Sequence, residues 1–179
     1  MTTGLFATEE RRMIASFSRP IWALPDGLLV RKGNPKQLTG YRSAAETSGC
    51  VVAVVRDQFQ HRSAVEFGVP HERISIFETY GDAANAVLKG LADTFASVSR
   101  AHSGFLAPIG NQDLQIVPIP FEEKRPAFGS FAFSKSDNAL RQTIDDVLLD
   151  YLGSIEHRLM MSRFGFSDAE IDLVVDPAL

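Results

Sequence analysis

The wholly apolar run Val51-Val52-Ala53-Val54-Val55 constrains this chain more than any other feature. A strand with one face in water alternates apolar and polar residues, so a run with no polar position needs cover on both faces. Helices packed on either side of a sheet give that cover. The flanking sequence supplies them. Strand-like segments at residues 27–32, 51–55, 73–77, 93–98, 114–119 and 128–134 alternate with helix-like segments at 36–47, 58–67, 80–90 and 99–106. Gly33-Asn34-Pro35, Gly68-Val69-Pro70 and Gly90 punctuate them. The order predicts an α/β fold of three layers, helix on sheet on helix. Pro118 and Pro120 put segment 114–119 at an edge or leaving the sheet.

Beyond residue 134 the character changes. Ser136 or Asp137 can cap a long helix whose apolar positions are Leu140, Ile144, Val147, Leu148, Tyr151 and Leu152. A second helix carries Ile155, Leu159 and Met160 and stops at Gly165. Ser167 and Glu170 form a capping box for a last short helix. The chain therefore ends in a helical appendage.

Charge narrows the function. The net charge of -4 argues against nucleic acid, which demands a basic face. No run approaches the ~20 apolar residues that a membrane-spanning helix needs. The start lacks a basic segment followed by an apolar one, so a chain made as written is expected in the cytoplasm. The single cysteine, Cys50, permits no intrachain disulfide and reads as a small buried hydrophobe. His61, His71, His102 and His157 are scattered without metal-ligand spacing and read as surface or capping residues. Glu122-Glu123 and Asp145-Asp146 are adjacent and exposed by pattern, unlike an acid/base pair in contrasting environments. Nucleophile-elbow, phosphate-loop and dinucleotide motifs are missing. No cofactor and no enzymatic activity is expected.

Several segments, taken in order, resemble one family. They are Ala15-Ser16-Phe17-Ser18-Arg19-Pro20-Ile21-Trp22, then Asp26-Gly27-Leu28-Leu29-Val30-Arg31-Lys32-Gly33-Asn34-Pro35, then Val52-Ala53-Val54-Val55-Arg56-Asp57-Gln58. Asp82-Ala83-Ala84-Asn85-Ala86-Val87-Leu88-Lys89-Gly90-Leu91-Ala92-Asp93-Thr94-Phe95 and Phe131-Ala132-Phe133-Ser134-Lys135-Ser136-Asp137-Asn138-Ala139-Leu140 continue the pattern. Together they resemble the extracellular solute-binding proteins of family 3, the polar amino-acid receptors of bacterial ABC importers. The resemblance implies a type II periplasmic-binding-protein fold: two α/β lobes, two hinge strands and a ligand in the cleft between them. It further implies that residues 1–26 are a hinge segment, 27–128 lobe two, and 129–179 the return hinge with the C-terminal helices of a lobe one lacking its N-terminal part. The implied role is import of a small polar solute, an amino acid or an ectoine- or betaine-like molecule, in the periplasm with an ABC permease as partner.

The resemblance also points to site residues. The loop after strand 51–55 matches the family's ligand-carboxylate loop, here Asp57, Gln58 and Phe59. Asp57 is also a good helix N-cap, and in that structural role it opposes a bound carboxylate. Where the family places an acid for the ligand ammonium, this chain has Ser97, Val98 and Ser99. Asp93 reads as a structural turn residue. Trp22 reads either as a cleft wall or as packing. The apolar stripe from Leu140 to Leu159 matches helices that pack on the rest of lobe one, so self-association through it is expected. Two alternatives stand beside the receptor: an oligomeric interaction or regulatory domain without solute, and a dehydratase-like enzyme on the same fold.

Overall fold

The computed structural model describes residues 2–110 and 113–175. It has two compact units: one runs to Leu24 and resumes at Pro126, and the other is Pro25–Arg125.

The second unit holds a five-stranded sheet in the order Ile74–Phe77, Val52–Val55, Thr94–Val98, Asp26–Arg31, Leu114–Pro118. The first three strands are parallel. Asp26–Arg31 runs antiparallel to both of its neighbours. Segment 114–119 is thus an edge strand, and Pro118 sits at its end. The apolar run behaves as its composition requires. Val52 and Val54 enter a core with Leu28, Val30, Ala96, Tyr41, Ala44 and Ala64. Ala53 and Val55 enter the opposite core with Leu29, Phe95, Ala83, Ala84 and Val87. The period of two sends successive residues to opposite faces. Helices Tyr41–Glu46 and Phe59–Glu66 cover one face, and Tyr80–Leu88 and Ser99–Ile109 the other.

One helix start differs clearly from the sequence reading. The helix expected over 36–47 begins only at Tyr41. Asn34 and Gln37 take left-handed φ values of 47° and 53°, and the Asn34 side chain bonds both the N–H and the C=O of Leu38. An Asn side chain that substitutes for a backbone turn delays the helix. The helix then gains a distant anchor, because Glu123 Oε1 accepts the Tyr41 N–H at 2.5 Å. Glu123 is thus engaged, not simply a solvated acid.

The other unit has a small antiparallel sheet. Ala127–Phe133 is central, with Thr2–Phe6 on one side and Ser16–Phe17 and Trp22–Leu24 in succession on the other. Residues 2–24 therefore contribute three strands and the short helix Glu9–Arg12, which the sequence reading did not resolve. Helices Asn138–Tyr151, Ile155–Arg163 and Asp168–Val175 follow. Ser167 and Glu170 form the expected capping box, with bonds of 2.8 and 3.3 Å. Leu148, Leu152, Leu173 and Val174 pack with Ala23, flanked by Ile144 and Phe128. Asp145 also departs from a solvated face: it accepts the Arg19 N–H at 2.7 Å and pairs with Arg141. Part of the expected apolar stripe stays in water, with Leu140, Val147, Ile155 and Leu159 all exposed. No helix among the described residues is long and apolar enough to cross a membrane.

Two histidines are not at the surface. His102 and His157 are fully buried. Each ring finds polar partners inside, Tyr80 and the Gly27 carbonyl for His102 and the Gly153 N–H for His157. A buried neutral imidazole satisfied in this way fits a core that scattered sequence positions do not reveal.

Candidate functional site

Val52–Val55 and Thr94–Val98 are parallel neighbours, so the segments after them leave the sheet at one edge. Asp26 pairs with Val98 and Gly27 with Pro118, which brings the start of one antiparallel strand and the end of the other to that edge. Crevices outside the carboxyl ends of parallel strands are where α/β sheets bind ligands.

Asp57, Gln58, Phe59, Ser97 and Ser99 all come to this edge. They present different things. Asp57, Gln58 and Phe59 are exposed. Ser97 is buried, and the Ser99 hydroxyl donates to the Asp26 carbonyl at 3.1 Å. Trp22 belongs to the other unit. Its ring lies on Gly129, where an added Cβ would come within 2.0 Å of it, and it meets Phe6 edge-on at 5.4 Å.

Asp57 does not cap the helix. It has a left-handed φ of 61°, and the N-cap position falls to Gln58, whose side chain makes no capping bond. Asp tolerates this conformation better than most residues, and it lets the chain turn out of the strand one residue later than a direct cap would. The consequence is chemical. The first turn of Phe59–Glu66 has neither a side-chain cap nor an acidic residue. The same holds for Ser99–Ile109, whose N-cap position is Val98. Neither helix start at this edge has a side-chain cap to compete with an anionic group, while the N–H groups of Gln58 and Ser99 donate to the Val55 and Pro25 carbonyls at 3.3 and 2.9 Å. Phe59 is half exposed, with the Arg62 guanidinium 5.9 Å from its ring centre. Arg56 and Glu78 pair at 2.7 Å on the surface beside it.

Asp93 is structural, as read: its carboxylate accepts the Val51 N–H at 2.9 Å. Sequence reasoning missed Asp26. It is 5% exposed and accepts Tyr41 Oη and Gln60 Nε2, each at 2.8 Å. Lys124 Nζ closes the group as its ion pair. Burial, with Asp26 beside it, pushes the Tyr41 phenol far above its ordinary range, so it stays a donor. One acid before an apolar strand carries no local sign of such partners. Among the described residues, no three His, Cys, Asp or Glu gather as a metal site.

No family model matches the chain. A probable amino-acid ABC transporter periplasmic-binding protein, y4tE of Sinorhizobium fredii (strain NBRC 101917 / NGR234), is 25% identical over 179 residues. The match takes in 97% of this chain and 58% of that protein. EhuB in complex with hydroxyectoine superposes with a TM-score of 0.68 at 22% identity, over 94% of this chain and 65% of that one. The arginine-, lysine-, histidine-binding protein ArtJ from Geobacillus stearothermophilus gives 0.65 at 20% identity, over 97% and 72%. The chain is thus similar in sequence to that periplasmic-binding protein, over 58% of its length, and it shares the periplasmic-binding-protein fold of the two solved structures.

Proposed function

We propose that the chain is a solute-binding component of an ABC import system, gripping a small polar solute at the carboxyl edge of the sheet in Pro25–Arg125. The observation that carries this reading is the pairing of two helix starts without side-chain caps at one edge, in a fold shared with receptors whose names include hydroxyectoine and basic amino acids. The solute class is an amino acid or an ectoine- or betaine-like zwitterion. Backbone N–H groups take its carboxylate, and Phe59 offers a ring to its apolar or cationic part. Ser97 and Ser99 supply no charge to an ammonium, which favours solutes whose positive charge is diffuse or quaternary. Periplasmic location and docking on a permease belong to the same reading. Binding without chemistry is its mechanism.

A thermal-shift titration with L-arginine, hydroxyectoine and glycine betaine tests it. A solute that binds only the folded form raises the melting midpoint with concentration. A flat response to all three, with a cooperative melt, abandons the solute reading. A second reading, an interaction domain without solute, draws on the exposure of Leu140, Val147, Ile155 and Leu159. It expects self-association in sedimentation equilibrium.

A further inference from the structure

Asp26 sits at the start of its strand, yet its bonds reach both segments that frame the candidate edge. A carboxylate this deeply buried is tolerated only with several donors around it. Oδ1 accepts Gln60 Nε2 at 2.8 Å. Gln60 is the second residue of Phe59–Glu66, so the bond holds the first turn directly behind Gln58 and Phe59. The Asp26 carbonyl accepts the Ser99 hydroxyl at 3.1 Å, and Ser99 opens Ser99–Ile109. Oδ2 is held by Tyr41 Oη at 2.8 Å and by Lys124. Gly27 permits the close approach, because a Cβ there would meet Ser99 Oγ at 2.5 Å.

We propose that Asp26 is a positioning residue that holds the first turn of Phe59–Glu66 and the start of Ser99–Ile109 in one fixed relation, so that the two helix starts face a single solute. This rests on the edge being the solute site. Asp26 does not touch the solute; it acts through Gln60 and Ser99. The roles are separable by arm: the carboxylate holds the first loop and the carbonyl the second.

Amide hydrogen exchange on the whole chain tests this. In Asp26→Asn one carboxylate oxygen becomes an NH2 group, so a donor must face a donor at Gln60 or at Tyr41 and Lys124. Exchange at 58–61 is expected to rise about tenfold or more, with 99–101, held through the backbone carbonyl that Asn keeps, and Tyr80–Leu88 both unchanged. Gln60→Met is expected to loosen 58–61 alone, and Ser99→Ala 99–101 alone. A uniform rise across the chain in Asp26→Asn, or no change at 58–61, overturns the proposal. If Asp26→Asn does not fold, the other two variants decide: unchanged exchange in both overturns it. Solute affinity is a separate readout. For whichever of L-arginine or hydroxyectoine stabilises the native chain, Asp26→Asn weakens binding about tenfold or more. If the native chain binds neither, the receptor reading fails, while the exchange data still decide the positioning role.

Discussion

Tyr80 and His102 share one short hydrogen bond inside the second unit, from the phenol to Nδ1. The other ring nitrogen, Nε2, lies 3.1 Å from the Gly27 carbonyl. A carbonyl only accepts, so Nε2 carries the proton and Nδ1 must accept from Tyr80. The arrangement fixes a neutral imidazole. Burial pushes His102 down to about 4 from an ordinary value of 6.5. In the unfolded chain it protonates near the ordinary value, so between those two the unfolded state binds more protons. Stability is full above about pH 6.5 and falls as the pH drops toward 4, by up to about 3 kcal/mol. Urea unfolding of the native chain and His102→Gln from pH 7 to 4 checks this. The variant is expected to lose that share of the acid slope.

Tyr80→Phe leaves Nδ1 buried without its donor. The expected loss is about 1–3 kcal/mol at neutral pH. The ring contacts with Phe95 and Phe105 survive the change, so the loss reports the hydroxyl. Chemical denaturation at constant slope measures it.

Gly27→Ala forces Ser99 away, since its backbone Cα is also only 3.3 Å from the added Cβ. A destabilisation of about 1–3 kcal/mol is expected. The melting midpoint falls, and exchange rises first at 99–101.

Asp57 adopts a left-handed conformation and caps nothing. Asp57→Gly is therefore expected to hold or raise stability, and Asp57→Val to lose about 1–2 kcal/mol. Were Asp57 a capping residue, both changes would cost stability. Thermal melts of the two variants separate the cases.

Cys50 is buried, and burial with Asp93 nearby pushes its thiol up to about 11. A thiol reagent at pH 8 is expected to label it only on the unfolding timescale. Labelling at the rate of a free thiol would contradict the packing around Val52 and Leu38.

Much of the fold was legible because it follows from local pattern. The apolar run predicted a strand covered on both faces, and Val52 with Val54 and Ala53 with Val55 divide between the two layers as a period of two requires. Residues 57–59 and 97–99 were marked by the family resemblance, and the structure puts them at the carboxyl ends of Val52–Val55 and Thr94–Val98. Three of the four segments before residue 25 were too short to show a period. The N-cap reading of Asp57 failed because a left-handed residue and an N-cap look alike in sequence.

By itself, the sequence determined the three-layer α/β class, the strand and helix segments of Pro25–Arg125 apart from the late start at Tyr41, and the last capping box, since each is set by residues within a turn or a strand of one another. Only the tertiary structure decided the order of the sheet, the burial of His102 and His157, and the Asp26 group. Its partners Tyr41, Gln60 and Lys124 stand 15, 34 and 98 positions away. Contacts at such separations depend on how strands are stacked side by side, and no local periodicity encodes that.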